Sequence, residues 1–201
     1  MKTRPSRGAT VAGLPESLAQ VVAYDFTGPR TLAMNEAIFH SLQTEAHVVS
    51  PPHGENIREQ RATRCVFDME PLPVGLRLFR PRLYEALRDY RARWRPDLVG
   101  VALGHRSWVN HYGPDQGIPW HAHGRSQVVA VYVLRGTERS DLIVEDPQTP
   151  GVCFRVGMPT GRLLFMSGNI WHCASPNFSA TTRAVLAVNF YPSSEAVPPP
   201  A

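Results

Sequence analysis

Three of the eight histidines stand where their side chains have chemistry to do. His121 and His123 form an H-x-H pair shortly before the apolar, β-branched run Gln127–Leu134, and His172 follows a second such run, Arg162–Phe165. On an extended segment residues i and i+2 project to one side, so a single stretch can present two imidazoles to one ion while the third arrives from a neighbouring strand. Imidazole suits iron, zinc, copper or nickel, which leaves the metal open. A lone histidine in such a place is ordinarily a hydrogen-bonded core residue. An H-x-H pair ahead of a strand, joined by a third histidine, favours a metal centre.

The surroundings of these histidines have a counterpart. The stretch YGPDQGIPWHAH (Tyr112 to His123), then VVAVYVL and the loop EDP at Glu145–Pro147, resembles the first half of the core in Fe(II)- and 2-oxoglutarate-dependent dioxygenases of the prolyl-hydroxylase-like group. GRLLFMSGNIWHCASPNFSATTRAVLAVNFY (Gly161 to Tyr191) resembles the second half. The likeness runs over Ser107–Tyr191, and a subgroup carrying HxH is similar too.

The resemblance implies a set of roles. His121 and His172 would be the proximal and distal iron ligands, and His123 stands where relatives usually carry the Asp of H-x-D. Three imidazoles bring no negative charge. The outcomes open at that position are an all-histidine site, a site that His123 vacates, or a binding protein without activity. Arg183 would bind the distal carboxylate of 2-oxoglutarate, a task suited to a planar fork that stays charged when buried. Tyr112 lies near the place of a pocket tyrosine, and Val133 replaces a second tyrosine found in relatives. By alternation Trp108 and Asn110 share a face with Tyr112, and Asn189 shares one with Arg183. These three, with Trp120 beside His121, are the substrate-pocket candidates. The implied cofactors are Fe(II), 2-oxoglutarate as cosubstrate and O2, and the implied reaction is oxidation of a C–H bond, most simply hydroxylation, of a small molecule or amino-acid-like substrate. The rivals are a three-histidine dioxygenase of the cupin kind that uses no oxoacid, favoured by His123 and opposed by Arg183, and a non-catalytic jelly-roll ligand-binding protein.

Elements must exist to position these residues. Prolines and glycines cut the chain after Leu98 into short segments that read as strands: Leu98–Leu103, Ser107–Tyr112, Gln127–Leu134, Asp141–Glu145, Val152–Val156, Arg162–Phe165 and Arg183–Tyr191. Ahead of them, Phe79, Leu83, Leu87, Tyr90 and Trp94 mark a helix from Pro81 to Trp94, with Pro81 in its first turn and Pro96 stopping it. Met34, Ile38, Leu42 and Ala46 mark a weaker helix over Thr31–Ala46. The fold class is mainly β with flanking helices (α+β): an eight-stranded double-stranded β-helix of jelly-roll or cupin-like form, with both helices buttressing the outside of the sheet. Residues 1–97 form a support region of the same domain and 98–192 the catalytic core; 193–201 form a disordered tail. His47–Gln60 reads as a loop.

Composition bounds the rest. The chain has 201 residues, 43% hydrophobic and 19% charged, which fits one globular domain. Its net charge of +4 rests on arginine, Lys2 being the only lysine, so the basic balance is weak evidence for nucleic acid and none is expected. The seven arginines from Arg77 to Arg95 read as the solvated face of the helix. No apolar run approaches the roughly 18 residues of a membrane span, and Met1–Gln20 lacks the apolar stretch of a signal peptide. Cys65, Cys153 and Cys173 are too few and too scattered for a disulfide framework, so a cytoplasmic location is expected. A small-molecule substrate is the expected partner, and a homodimer is compatible with the sequence.

Overall fold

The computed structural model describes residues 8–43, 65–124, 126–137 and 139–193. Ala46, the loop His47–Gln60 and the tail beyond Ser193 lie outside these residues. Among the described residues, ten strands form two sheets. One has the order β1-β2-β8-β5-β10-β3, built from β1 (Ala9–Thr10), β2 (Val22–Asp25), β8 (Arg162–Ser167), β5 (Val128–Arg135), β10 (Arg183–Pro192) and β3 (Leu103–Tyr112). The other has the order β4-β9-β6-β7, from β4 (Ile118–His121), β9 (His172–Ala174), β6 (Asp141–Glu145) and β7 (Cys153–Gly157). Strands β3 to β10 divide four and four between the two sheets, which makes the double-stranded β-helix. β1 and β2 extend the larger sheet by pairing β2 with β8.

Strict alternation of side chains explains why the larger sheet is buried on both faces. Along β5, Val128, Ala130, Tyr132 and Leu134 pack in one core, while Val129 and Val133 pack in another with Leu142, Val144, Leu164 and Met166 between the sheets. Along β10, Ala184, Leu186, Val188 and Phe190 join the first core. Two helices seal that outer face, and their apolar stripes supply the other half of the core. α1 (Pro29–Gln43) contributes Met34, Ile38, Phe39 and Leu42; α2 (Val74–Trp94) contributes Leu76, Phe79, Leu83, Leu87 and Tyr90. The Phe79 and Tyr132 rings stack with centroids 4.2 Å apart.

Several elements differ from the sequence reading. α2 starts at Val74 and carries Pro81 in its interior, where the missing N–H deprives the Arg77 carbonyl of its helical donor. The apolar stripe that begins at Leu76 outweighs that loss. Leu98–Leu103 is not a strand: Pro96–Leu98 forms a 3-10 turn and β3 begins at Leu103. The arginines in and just after α2 do more than face water, since Arg91 donates to the carbonyls of Leu98 and Val101, and Arg95, at the helix C-terminus, to that of Gln127. No helix among the described residues is long and apolar enough to cross a membrane.

Asn35 fastens α1 to the sheet. Its Oδ1 accepts the Tyr132 hydroxyl at 2.7 Å and its Nδ2 donates to the Leu134 carbonyl at 3.2 Å, both buried. Asn35→Leu strands both partners and should cost about 1–3 kcal/mol of stability in urea unfolding. Metal binding at the centre described below should be unchanged, because Asn35 lies on the opposite face of the sheet.

Candidate metal centre

Two of the three histidines are set by strand pairing. β4 runs antiparallel to β9, and His121 lies directly opposite His172. A register irregularity between Ile118 and His121 accommodates Pro119, which has no N–H to give a ladder and sits on an edge strand. His123 lies beyond the end of β4. Its backbone N–H donates to the Gly168 carbonyl at 2.8 Å, and its carbonyl accepts the Ser126 N–H at 2.6 Å. Gly168 is needed there, because a Cβ would come within 1.9 Å of the Ser126 carbonyl oxygen. The three rings then meet, with centroids 4.3 Å apart for His121 and His172, 4.9 Å for His121 and His123, and 5.1 Å for His123 and His172. One ligating atom from each lies within 4.8 Å of the others.

Hydrogen bonds decide which nitrogens are free. Nδ1 of His121 is 2.8 Å from the Pro119 carbonyl and Nδ1 of His172 is 2.9 Å from that of Ile170. A carbonyl only accepts, so each Nδ1 carries its proton and Nε2 keeps its lone pair for a cation. Burial pushes all three imidazoles below the ordinary histidine range, His123 and His172 to about 3, and for these two the neighbouring rings push in the same direction. Three neutral nitrogen donors, two of them already oriented from behind, fit iron, zinc, copper or nickel.

The rings line a pocket whose other walls are Trp108, Asn110 and Tyr112 of β3, Val129 and Val131 of β5, and Arg183, Val185 and Ala187 of β10. Arg183 is 3% exposed, and no carboxylate of the described residues pairs with it. Its guanidinium donates to the Ser175 carbonyl at 2.7 Å and lies 4.2 Å above the Tyr112 ring, while its Nε has no partner. Burial holds the guanidinium below its usual range and pushes the Tyr112 phenol up to about 12, so that phenol stays protonated. Trp108 Nε1 and Asn110 Oδ1 are buried and unpartnered as well. A buried cation with a spare donor is a receptor for an anion.

Two pocket candidates are placed elsewhere. Trp120 is 43% exposed and is not among the lining residues, since alternation turns it away from the face that His121 occupies. Asn189 is buried on the inner face of β10 yet lies behind His123, with its Nδ2 2.9 Å from Nδ1 of that ring. Val133 packs between the sheets and not in the pocket. The role of Asn189 had no sequence signal, because alternation fixes its face and not its neighbour.

No protein-family model matches the chain, and no curated protein matches it significantly. Solved structures do. The chain is similar to a Pseudomonas putida prolyl-4-hydroxylase at 15% identity and TM-score 0.56, over 85% of this chain and 84% of that one. It is similar to a Trichoplax adhaerens prolyl hydroxylase, in complex with a hypoxia inducible factor peptide fragment, at 13% identity and TM-score 0.60, over 85% and 82%. A non-heme alpha ketoglutarate dependent epimerase from nogalamycin biosynthesis gives 12% identity and TM-score 0.61, over 87% and 78%. At identities of this order the likeness is one of fold: the double-stranded β-helix that these oxygenases share.

Asn189 generates a prediction. When a cation occupies Nε2 of His123, Nδ1 carries the proton, and a half-turn of the Asn189 amide presents its otherwise unpartnered Oδ1 to accept it. Asn189→Leu should therefore weaken metal binding by about 10–100-fold in calorimetric titration with Co(II), and Asn189→Asp should restore it. A second concerns acid. Unfolded imidazoles take up protons near pH 6.5, whereas folded His123 and His172 resist until about 3. Between those values the unfolded chain binds more protons, so stability that is complete above pH 6.5 is lost as the pH falls toward 3. Metal-free His172→Gln should show a shallower decline of Tm from pH 7 to 5 than the parent.

Proposed function

We propose that the protein is a non-haem Fe(II)- and 2-oxoglutarate-dependent oxygenase that oxidises a C–H bond of a small molecule or amino-acid-like substrate at a three-histidine iron site. The observation that carries this reading is the presence in one pocket of three buried imidazoles and a buried guanidinium without a carboxylate partner. The alpha-ketoglutarate dependence named for one solved protein of this fold, and the hydroxylase names of two others, support it.

His121, His123 and His172 would hold the iron. With 2-oxoglutarate and O2 the bound metal supplies C–H oxidation coupled to decarboxylation of the oxoacid to succinate. The chain's own residues do the positioning. Arg183 binds the distal carboxylate, and the Tyr112 ring supports the guanidinium from one face. Val129, Val131, Val185 and Ala187 keep water from the space between Arg183 and the histidines. Trp108 Nε1 and Asn110 Oδ1 offer a donor and an acceptor that orient the bound molecules.

His123 favours a second reading, a three-histidine dioxygenase that binds its substrate to the metal directly and needs no oxoacid. Anaerobic Fe(II) titration with and without 2-oxoglutarate separates the two, through the weak visible charge-transfer band of a chelated oxoacid. The band should appear with wild type, and Arg183→Lys should weaken 2-oxoglutarate binding by about 1–3 kcal/mol. His123→Ala should lower iron affinity, and His123→Asp should keep iron and take on the spectrum of a two-histidine, one-carboxylate site. No band, and calorimetry blind to 2-oxoglutarate, would transfer the assignment to the oxoacid-independent reading.

A further inference from the structure

A second group of metal-ligating side chains lies on the opposite face of β3 from the pocket. Cys65, Asp68 and His105 bring a sulfur, a carboxylate oxygen and a ring nitrogen within 4.8 Å of one another. Local structure explains the convergence. Cys65 precedes, and Asp68 ends, the 3-10 turn Val66–Asp68, and residues three apart eclipse in such a turn. The thiol and the carboxylate therefore leave on one side. His105 and Ser107 share the outer face of β3, and Ser107 Oγ fastens the turn to the strand: it accepts the Phe67 N–H at 3.3 Å and lies 3.0 Å from Cys65 Sγ.

His105 carries the observation that points to a ligand. The Tyr84 hydroxyl, from α2, holds its Nδ1 at 3.1 Å, and its Nε2 is buried without any hydrogen-bond partner. A buried polar atom left unpaired is costly, and a bound ion removes that cost. The donor set also balances in charge. A thiolate and a carboxylate together neutralise a divalent cation, and the imidazole adds a neutral third ligand.

We propose that Cys65, Asp68 and His105 form a second metal site, for a thiophilic divalent cation of the zinc type, which ties the turn ahead of α2 to β3. Thiolate with imidazole selects such ions over magnesium or calcium. With metal–ligand distances of about 2.0–2.3 Å, closing the cluster onto one ion takes side-chain shifts of about an ångström. Three protein donors leave a fourth tetrahedral position to solvent. The site is independent of whatever the three-histidine centre binds.

The test uses metal-stripped full-length protein titrated with Co(II), a spectroscopic stand-in for zinc. A sulfur ligand gives cobalt an intense near-ultraviolet charge-transfer band, which a purely imidazole site cannot produce. Wild type should bind two equivalents and show the band. Cys65→Ser should lose the band and one equivalent, while His172→Ala should lose the other equivalent and keep the band. Where Cys65→Ser fails to fold, wild type still decides: zinc should suppress alkylation of Cys65, read by peptide mass spectrometry, and leave the exposed Cys153 reactive. Absence of the band in wild type, its survival in Cys65→Ser, or alkylation of Cys65 unaffected by zinc would each overturn the proposal.

Discussion

Everything at the three-histidine centre depends on the register between two very short strands, β4 and β9. His121 faces His172 across that pair, and a slip of either strand by one residue would turn its ring outward and bring Trp120 or Trp171 in its place. Strands of four and three residues cannot specify a register alone. β9 is held on its other side by β6, where Val144 opposes His172 and Leu142 opposes Ala174, and β6 is held in turn by β7. Val144 and Leu142 are buried between the sheets, so a slip of β6 would expose them. The centre thus draws its precision from the packed core between the two sheets.

The third ring belongs to neither ladder, and it links the two sheets. His123 hangs from the Gly168 carbonyl at the end of β8, and Asn189 of β10 stands behind its ring. Both β8 and β10 belong to the larger sheet, whereas His121 and His172 belong to the smaller one. An ion shared by the three rings would therefore bridge the two halves of the double-stranded β-helix. The close approach that allows this depends on a single missing side chain, at Gly168.

What could be read in the sequence follows from what has a period. β5, β8 and β10 are long, apolar and bounded by turn residues, and their alternation carries Arg183 and Asn189 to the inner face together. The H-x-H pair with His172 was legible for the same reason. β1, β2, β4 and β9 were not, because two to four residues carry no period and Pro119 argues locally against a strand. Pro81 misled in the other direction: its preference for first turns hid the stretch of α2 that begins at Val74. Asn189 shows the limit of pattern. Its face is given by counting, but whether it meets a substrate or the back of a ligand depends on where a loop places His123.

The charges around the pocket have a consequence for what can bind there. A site of the H-x-D kind would set one carboxylate against a divalent cation, and His123 supplies none. The lining residues include no aspartate or glutamate, and the one charged side chain among them is Arg183. An ion at the histidines and the guanidinium would then leave three positive charges in a space walled by valine, alanine and aromatic rings. Coulomb repulsion is strong in such surroundings, and separating those charges by a neutral molecule would not relieve it. A dianion reaching from the metal to Arg183 does, by placing one carboxylate at each. The surplus that remains disfavours a cationic second ligand. A histidine where an H-x-D site has its aspartate would thus make the ion-loaded pocket more receptive to a dianion and less receptive to positively charged ligands.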